Sequence, residues 1–222
     1  MGIPTQVGRS ECFVKNIIKM LTVNNITHHK NQQIIFKNLG FSLGSGSALI
    51  LYGSNGSGKT TLLKTIAGLC RQNVGEILWN NENVQNFFPE FSADINYIGH
   101  KNFLKPKLTV WQNLSFYAGI SDTEILLPAA IRYFSLEEVL EKPVYQLSSG
   151  WQKKVILAKL LYNPAAIWLL DEPTVNLDRK GKELLFNLVS TRIKDGGMAI
   201  IATHDEIFAP LANKIFLEDF KE

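Results

Sequence analysis

Gly53-Ser54-Asn55-Gly56-Ser57-Gly58-Lys59-Thr60 lies between a short apolar run at 48–52 and a helix-forming stretch at 59–67. It fits the pattern G-x-x-x-x-G-K-[ST], a loop that holds phosphate. Glycines let backbone N–H groups turn inward around an anion, and the helix that follows aims its positive end at the same place. Lys59 reaches phosphate oxygens as a point charge, and the Thr60 hydroxyl is placed to ligate magnesium. The expected contacts are the six loop residues Gly53, Ser54, Asn55, Gly56, Ser57 and Gly58, then Lys59, Thr60 and Thr61. Eight residues alone could be a glycine-rich turn before an ordinary helix. The strand on one side and the helix on the other favour phosphate.

Working outward, 21–27 and 34–43 read as strands separated by a polar turn, and 77–79 and 95–98 as further strands. Residues 109–140 are helical in pattern, broken at Pro128, and 149–162 is a helix stopped before Pro164. Strand 167–170, helix 183–193 and strand 198–202 follow. Strands and helices alternate at both ends, which predicts an α/β fold with a mostly parallel core sheet, an N-terminal antiparallel β part and a helical insertion at about 101–146. Nothing beyond 202 is expected except a short tail. Residues 1–19 carry little patterning and read as an N-terminal extension outside the fold, the domain proper being 20–222.

The run Ile167-Trp168-Leu169-Leu170-Asp171-Glu172 places two carboxylates at the end of a buried strand, where ligands of parallel sheets collect. Asp171 is the expected magnesium ligand with Thr60, and Glu172 the group that polarises the attacking water. A strand followed by an acidic turn is common, so this motif draws its force from the phosphate loop.

Three later segments decide the class. Leu147-Ser148-Ser149-Gly150-Trp151-Gln152 resembles the Leu-Ser-Gly-Gly-Gln signature of the ATP-binding-cassette (ABC) ATPases, with Ser149 for the first glycine and Trp151 for the glutamine. Taken alone, Ser148 is an ordinary helix N-cap. Val175-Asn176-Leu177-Asp178 resembles the D-loop of that family, and His204 resembles its switch histidine. The resemblance spans 20–217. It implies a P-loop ATPase that binds ATP with Mg2+ as a head-to-tail homodimer, Ser148, Ser149 and Gly150 facing the nucleotide of the other copy. Lys59, Glu172 and His204 are then the catalytic set, and Asp178 lines the dimer interface. His100 stands where the family usually carries a glutamine that senses the nucleotide. No aromatic occurs between Leu21 and Ile35 to stack on adenine, which leaves His28, His29 or neither.

Gly68-Leu69-Cys70-Arg71, the run 75–79, Tyr97-Ile98-Gly99-His100 and 104–109 are similar to the ATPase subunits of the cytochrome c maturation system, the haem exporter. That resemblance implies a peripheral subunit on the cytoplasmic face of the membrane, bound to a separate integral-membrane subunit. Part of 101–117 is the expected docking surface, through whichever of Phe103, Leu104, Pro106, Val110 and Trp111 are exposed, the others packing inside the helical layer. The alternatives are the ATPase of another small exporter or lipid transporter, or a soluble cassette protein. The last usually has tandem cassettes or a long coiled coil, and neither is present here.

Composition agrees. The 222 residues are 45% hydrophobic with a net charge of +3. That charge is spread along the chain rather than gathered in a basic stripe, so nucleic acid is not an expected partner. The two cysteines form no disulfide framework or metal cluster, and no run approaches the ~20 apolar residues that span a bilayer.

Overall fold

The computed structural model describes residues 19–30, 33–99, 103–163, 165–211 and 213–221. The extension before residue 19 and the expected sensor His100 lie outside the described residues.

Strands β1 (Met20–Lys30) and β2 (Gln33–Gly44) pair antiparallel, Val23 opposite Phe41, with register shifts between Val23 and His29. After β3 (Ala48–Tyr52) and helix α1 (Lys59–Ile66), β4 (Val74–Trp79) returns to pair antiparallel with β1, and the two-residue β5 (Glu82–Asn83) pairs with β4. This four-stranded sheet has the order β2-β1-β4-β5. A short helix α2 (Phe88–Ala93) leads to β6 (Ile95–Ile98). Helices α3 (Val110–Ile120), α4 (Leu127–Phe134) and α5 (Ser149–Tyr162) follow, then β7 (Ile167–Asp171), α6 (Arg179–Lys194), β8 (Met198–Ala202) and β9 (Asn213–Phe216).

The second sheet, β6-β7-β8-β3-β9, is parallel in every pairing. A parallel sheet covered on both faces calls for uninterrupted apolar strands, and IWLLD and MAIIA are buried at all five positions of β7 and β8. Leu62, Leu63 and Ile66 of α1 pack with Leu49, Leu51, Leu169 and Ile200 on one face. Ile50, Trp168, Leu170 and Ile201 pack on the other with residues of α3–α6. Thr109 caps α3 in a capping box with Gln112, and the chain is clasped there by Val110 N–H to Lys142 O at 3.1 Å.

Register decides where chemistry can occur. Asp171 and Leu51 both lie level with Ala202 of β8. The segments beginning at Gly53, Glu172 and Thr203 therefore emerge side by side from one edge of the sheet.

Three expectations are corrected. The tail after β8 adds a fifth core strand, β9, beside β3. Pro128 opens α4 rather than breaking a helix, which its fixed φ and missing N–H suit. Helix α6 starts at Arg179, four residues earlier than expected, because Asp178 is its N-cap and accepts the Gly181 N–H at 2.8 Å.

Candidate functional site

The loop between β3 and α1 is shaped by close packing. Gly58 has φ +107°, and a Cβ there would sit 2.6 Å from Ile35 Cγ2, so only glycine fits without displacing β2. Ser54 N–H donates to Glu218 Oε1 at 2.5 Å, a brace from the turn after β9. That amide holds the Glu218 carboxyl below the usual carboxylate range. Lys59, only 8% exposed, bends back over the loop. Its ammonium donates to the carbonyls of Gly53 and Ser54 and lies 3.1 Å from His204 Nε2.

At the adjoining strand end, Thr60 Oγ1 donates to Asp171 Oδ2 at 2.8 Å. Asp171 is 1% exposed, and burial, with this carboxylate next to it, pushes the Tyr97 phenol up to about 12. Glu172 adopts φ +44°, a left-handed conformation uncommon for a side chain of its kind. Its N–H donates to Ala202 O at 2.9 Å and its carbonyl accepts from Lys153 Nζ at 3.0 Å. Burial pulls the Lys153 ammonium down to about 8, against the opposing pull of Asp171 and Glu172. His204 Nε2 lies 3.6 Å from Glu172 Oε1 and 3.3 Å from Asn55 Oδ1. A cleft of about 450 Å³ joins Asn55–Thr61 to Asp171 and Glu172, with Lys30 and Ile35 on its rim.

Of the residues singled out in the sequence, Asn55, Gly56, Ser57, Gly58, Lys59, Thr60, Thr61, Asp171 and Glu172 share this cleft, Gly53 and Ser54 are not in its lining, and His204 reaches it through Lys59 and Asn55. Ser148, Ser149, Gly150 and Asp178 are not in its lining. Ser148 caps α5 through the Trp151 N–H, and Ser149 lines a neighbouring cleft of about 140 Å³ with Lys153, Glu172 and Asn176. Lys154 lies 3.7 Å from Asp178, which ties α5 to the start of α6. His28 is 8% exposed and lies under Phe36, so it is a core side chain and not an adenine platform. Lys30, Ile35, Lys153 and Glu218 escaped the sequence reading. Only Lys153 carried a signal, as a cation one turn into the signature helix.

Among the described residues no group of three His, Cys, Asp or Glu side chains could hold a metal ion by itself. The Thr60 hydroxyl beside the Asp171 carboxylate is a pair of hard oxygens at the mouth of the phosphate loop. Such a pair suits a divalent cation that takes its remaining ligands from phosphate and water. The residues present therefore fit Mg2+ delivered with a nucleotide. Among the described residues no helix is long and apolar enough to cross a membrane.

Comparison with known proteins agrees with this geometry. Residues 36–175 match the ABC transporter family. The chain is 40% identical to the cytochrome c biogenesis ATP-binding export protein CcmA of Wolbachia pipientis, over 83% of this chain and 89% of that protein. It is 37% identical to the protein of the same name in Vibrio cholerae, over 91% of this chain and all of the relative. Among solved structures it is similar to a putative ABC transporter ATP-binding protein from Pyrococcus furiosus, with a TM-score of 0.79, 24% identity and coverage of 91% and 100%. It is also similar to the cassette MJ0796 in a dimeric post-hydrolysis state bound to ADP and Pi, with a TM-score of 0.77, 24% identity and coverage of 88% and 93%. By the family match and by relatives that cover nearly its whole length, the chain belongs to the ABC transporter family, among the cytochrome c biogenesis ATP-binding export proteins.

Proposed function

We propose that the site binds Mg-ATP and hydrolyses it through Glu172, in a head-to-tail dimer whose second copy closes each site with Ser148, Ser149 and Gly150. The chain is the ATPase subunit of the haem exporter system of cytochrome c biogenesis. One arrangement carries the site assignment: Lys59, Thr60, Asp171 and Glu172 line one cleft, and His204 meets Lys59 and Glu172 beside it. Phosphates enter over the loop amides, and Lys59 exchanges its carbonyl contacts for β- and γ-phosphate oxygens. Thr60 and Asp171 would hold Mg2+, which would supply charge neutralisation at the phosphates when bound. Glu172 orients a water and draws its proton as the water oxygen attacks the γ-phosphorus and ADP departs. His204 steadies the γ-phosphate. Asp178 lies at the dimer interface, and His100 senses the nucleotide.

The membrane partner is an integral-membrane subunit of the same system, and the chain sits on the cytoplasmic face as a peripheral subunit. An apolar cavity of about 240 Å³ between Phe103, Leu104, Tyr117 and Ile156 supports docking there. Phe103 is 61% exposed and Trp111 43%. Val110, of the same apolar cluster, is fully buried and is one of the members that pack inside.

The test is Glu172→Gln in the complex with the membrane partner. It should bind Mg-ATP normally, hydrolyse it at least about a hundredfold more slowly, and fail to restore c-type cytochromes to cells lacking the chain. Near-normal turnover would remove Glu172 from its role.

A further inference from the structure

Helix α5 reaches Glu172 through Lys153. Lys153, on the second turn of that helix, donates through Nζ to the Glu172 carbonyl at 3.0 Å across 19 residues of sequence. The same residue is held on its other side by the hydrogen bond from its N–H to Ala202 O. Glu172 thus has both backbone groups fixed, one by β8 and one by α5, while its φ of +44° is a conformation that relaxes readily unless its surroundings enforce it. The alternative donor to that carbonyl, Val175 N–H, is at 3.4 Å and belongs to a turn that would move with it. Among the described residues no carboxylate lies within 4.0 Å of Lys153 Nζ, although Asp178 takes the neighbouring Lys154 and Asp205 takes Lys182. Burial in this cleft costs the ammonium hydration, against the opposing pull of Asp171 and Glu172, and its direct hydrogen bond goes to the carbonyl of Glu172, the residue proposed to carry the hydrolytic carboxylate.

We propose that Lys153 is a positioning residue for ATP hydrolysis: by gripping the Glu172 carbonyl it fixes the backbone from which the carboxylate is aimed at the attacking water. The assignment rests on Glu172 being the general base. Lys153 does not line the phosphate-loop cleft, so its loss should slow turnover and leave ATP binding intact. Small misplacements of a catalytic group are expensive in rate.

The experiment compares wild type, Lys153→Met, Lys153→Arg and Lys153→Gln as full-length chains in complex with the membrane partner, by phosphate release, ATP binding and melting temperature. Lys153→Met, which keeps length and loses the donor, should lower kcat at least about tenfold with KM changed less than about twofold. Lys153→Arg, which keeps a donor, should recover most of the loss. Lys153→Gln, a shorter donor, should fall between them, and decides the matter if the methionine variant does not fold. In a Glu172→Gln background Lys153→Met should cost almost nothing more, because both changes act on one group. Wild-type kcat in Lys153→Met or Lys153→Gln overturns the proposal. So does a slowing that arginine does not relieve, or one equally large when Glu172 is already glutamine. If Glu172→Gln alone turns over normally, the reading of the base fails first and takes this assignment with it. Loss in Glu172→Gln without loss in Lys153→Met sinks the positioning role alone.

Discussion

Replacing Gly150 by alanine should separate folding from hydrolysis. Gly150 lies in the first turn of α5, and a Cβ built there would stand 2.9 Å from the backbone oxygen of Asn176. Ordinary contact begins at 3.4 Å, so the segment 175–178 must withdraw by roughly half an ångström. That acceptor is backbone and cannot swing aside. Forcing extra bulk into a packed contact costs about 1–3 kcal/mol, while alanine regains about 0.5–1 kcal/mol over glycine within a helix. The net loss is therefore about 0–2.5 kcal/mol, which in a domain of this size lowers the melting temperature by no more than about 10 °C. Turnover should suffer more. The displaced segment runs from Glu172 to the Asp178 cap of α6, and a shift of this size next to catalytic groups costs on the order of tenfold or more in rate. The loop 53–60 is untouched, so ATP affinity of the isolated chain should hold within about twofold. The assays are thermal melting, nucleotide binding and phosphate release from the complex with the membrane partner. Full turnover in a folded Gly150→Ala protein would refute the view that α5 and the 175–178 segment are held in register for catalysis.

Two further outcomes follow from contacts away from the nucleotide. The Lys182 hydrogen bond holds Asp205 below its usual value of 3.8, so its contribution is present above the unfolded pKa and is lost as pH falls through the lower folded value. The stability gap between wild type and Asp205→Asn in denaturant titrations should be full at neutral pH and should close only below about pH 4; a gap unchanged in strong acid would contradict this. Removing residues 1–18 should leave the melting temperature within about 2 °C, because their sequence carries no motif or apolar pattern of its own. The cut must spare Lys19, whose ammonium pairs with Asp94 at 3.1 Å, and a large fall on truncation would make the segment structural.

How far the fold could be read from the chain depended on the range of the forces involved. Strands β3, β7 and β8 were legible because a strand buried on both faces must be apolar throughout, and Ala48–Tyr52 and Met198–Ala202 were placed to the residue. Strand β9 was not. Asn213–Phe216 is mixed in polarity and lies at the edge of the sheet, paired on one side with β3, so nothing in four residues announces it. Helix α2 is six residues around a proline, too short for a period to register. The start of α6 was misplaced because Asp178 had been assigned to the D-loop. The structure shows that the same carboxylate also caps the helix.

The site divides in the same way. Loop 53–60, Asp171-Glu172 and His204 stand out along the chain because each is a local pattern, a residue type that the proposed contact with phosphate, metal ion or water calls for. What holds those residues in place is non-local. Glu218 reaches the phosphate loop across 164 residues, Lys153 reaches Glu172 across 19, and Lys59 meets His204 across 145. None of these pairs has a spacing that means anything along the chain. They meet because β3, β7 and β8 end level with one another, with Leu51 and Asp171 both in register with Ala202. Motifs therefore identify the groups that act, and sheet register identifies those that aim them. By the same reasoning His28 lost its candidacy. A histidine in the first hairpin could meet adenine only from an exposed position, and the pairing of β1 with β2 sets His28 opposite Phe36 in the core. Among the described residues of the first hairpin, Lys30 and Ile35 line the cleft, and their aliphatic carbons can cover a base without the orienting quadrupole of an aromatic ring. Contact of that kind favours any flat base about equally.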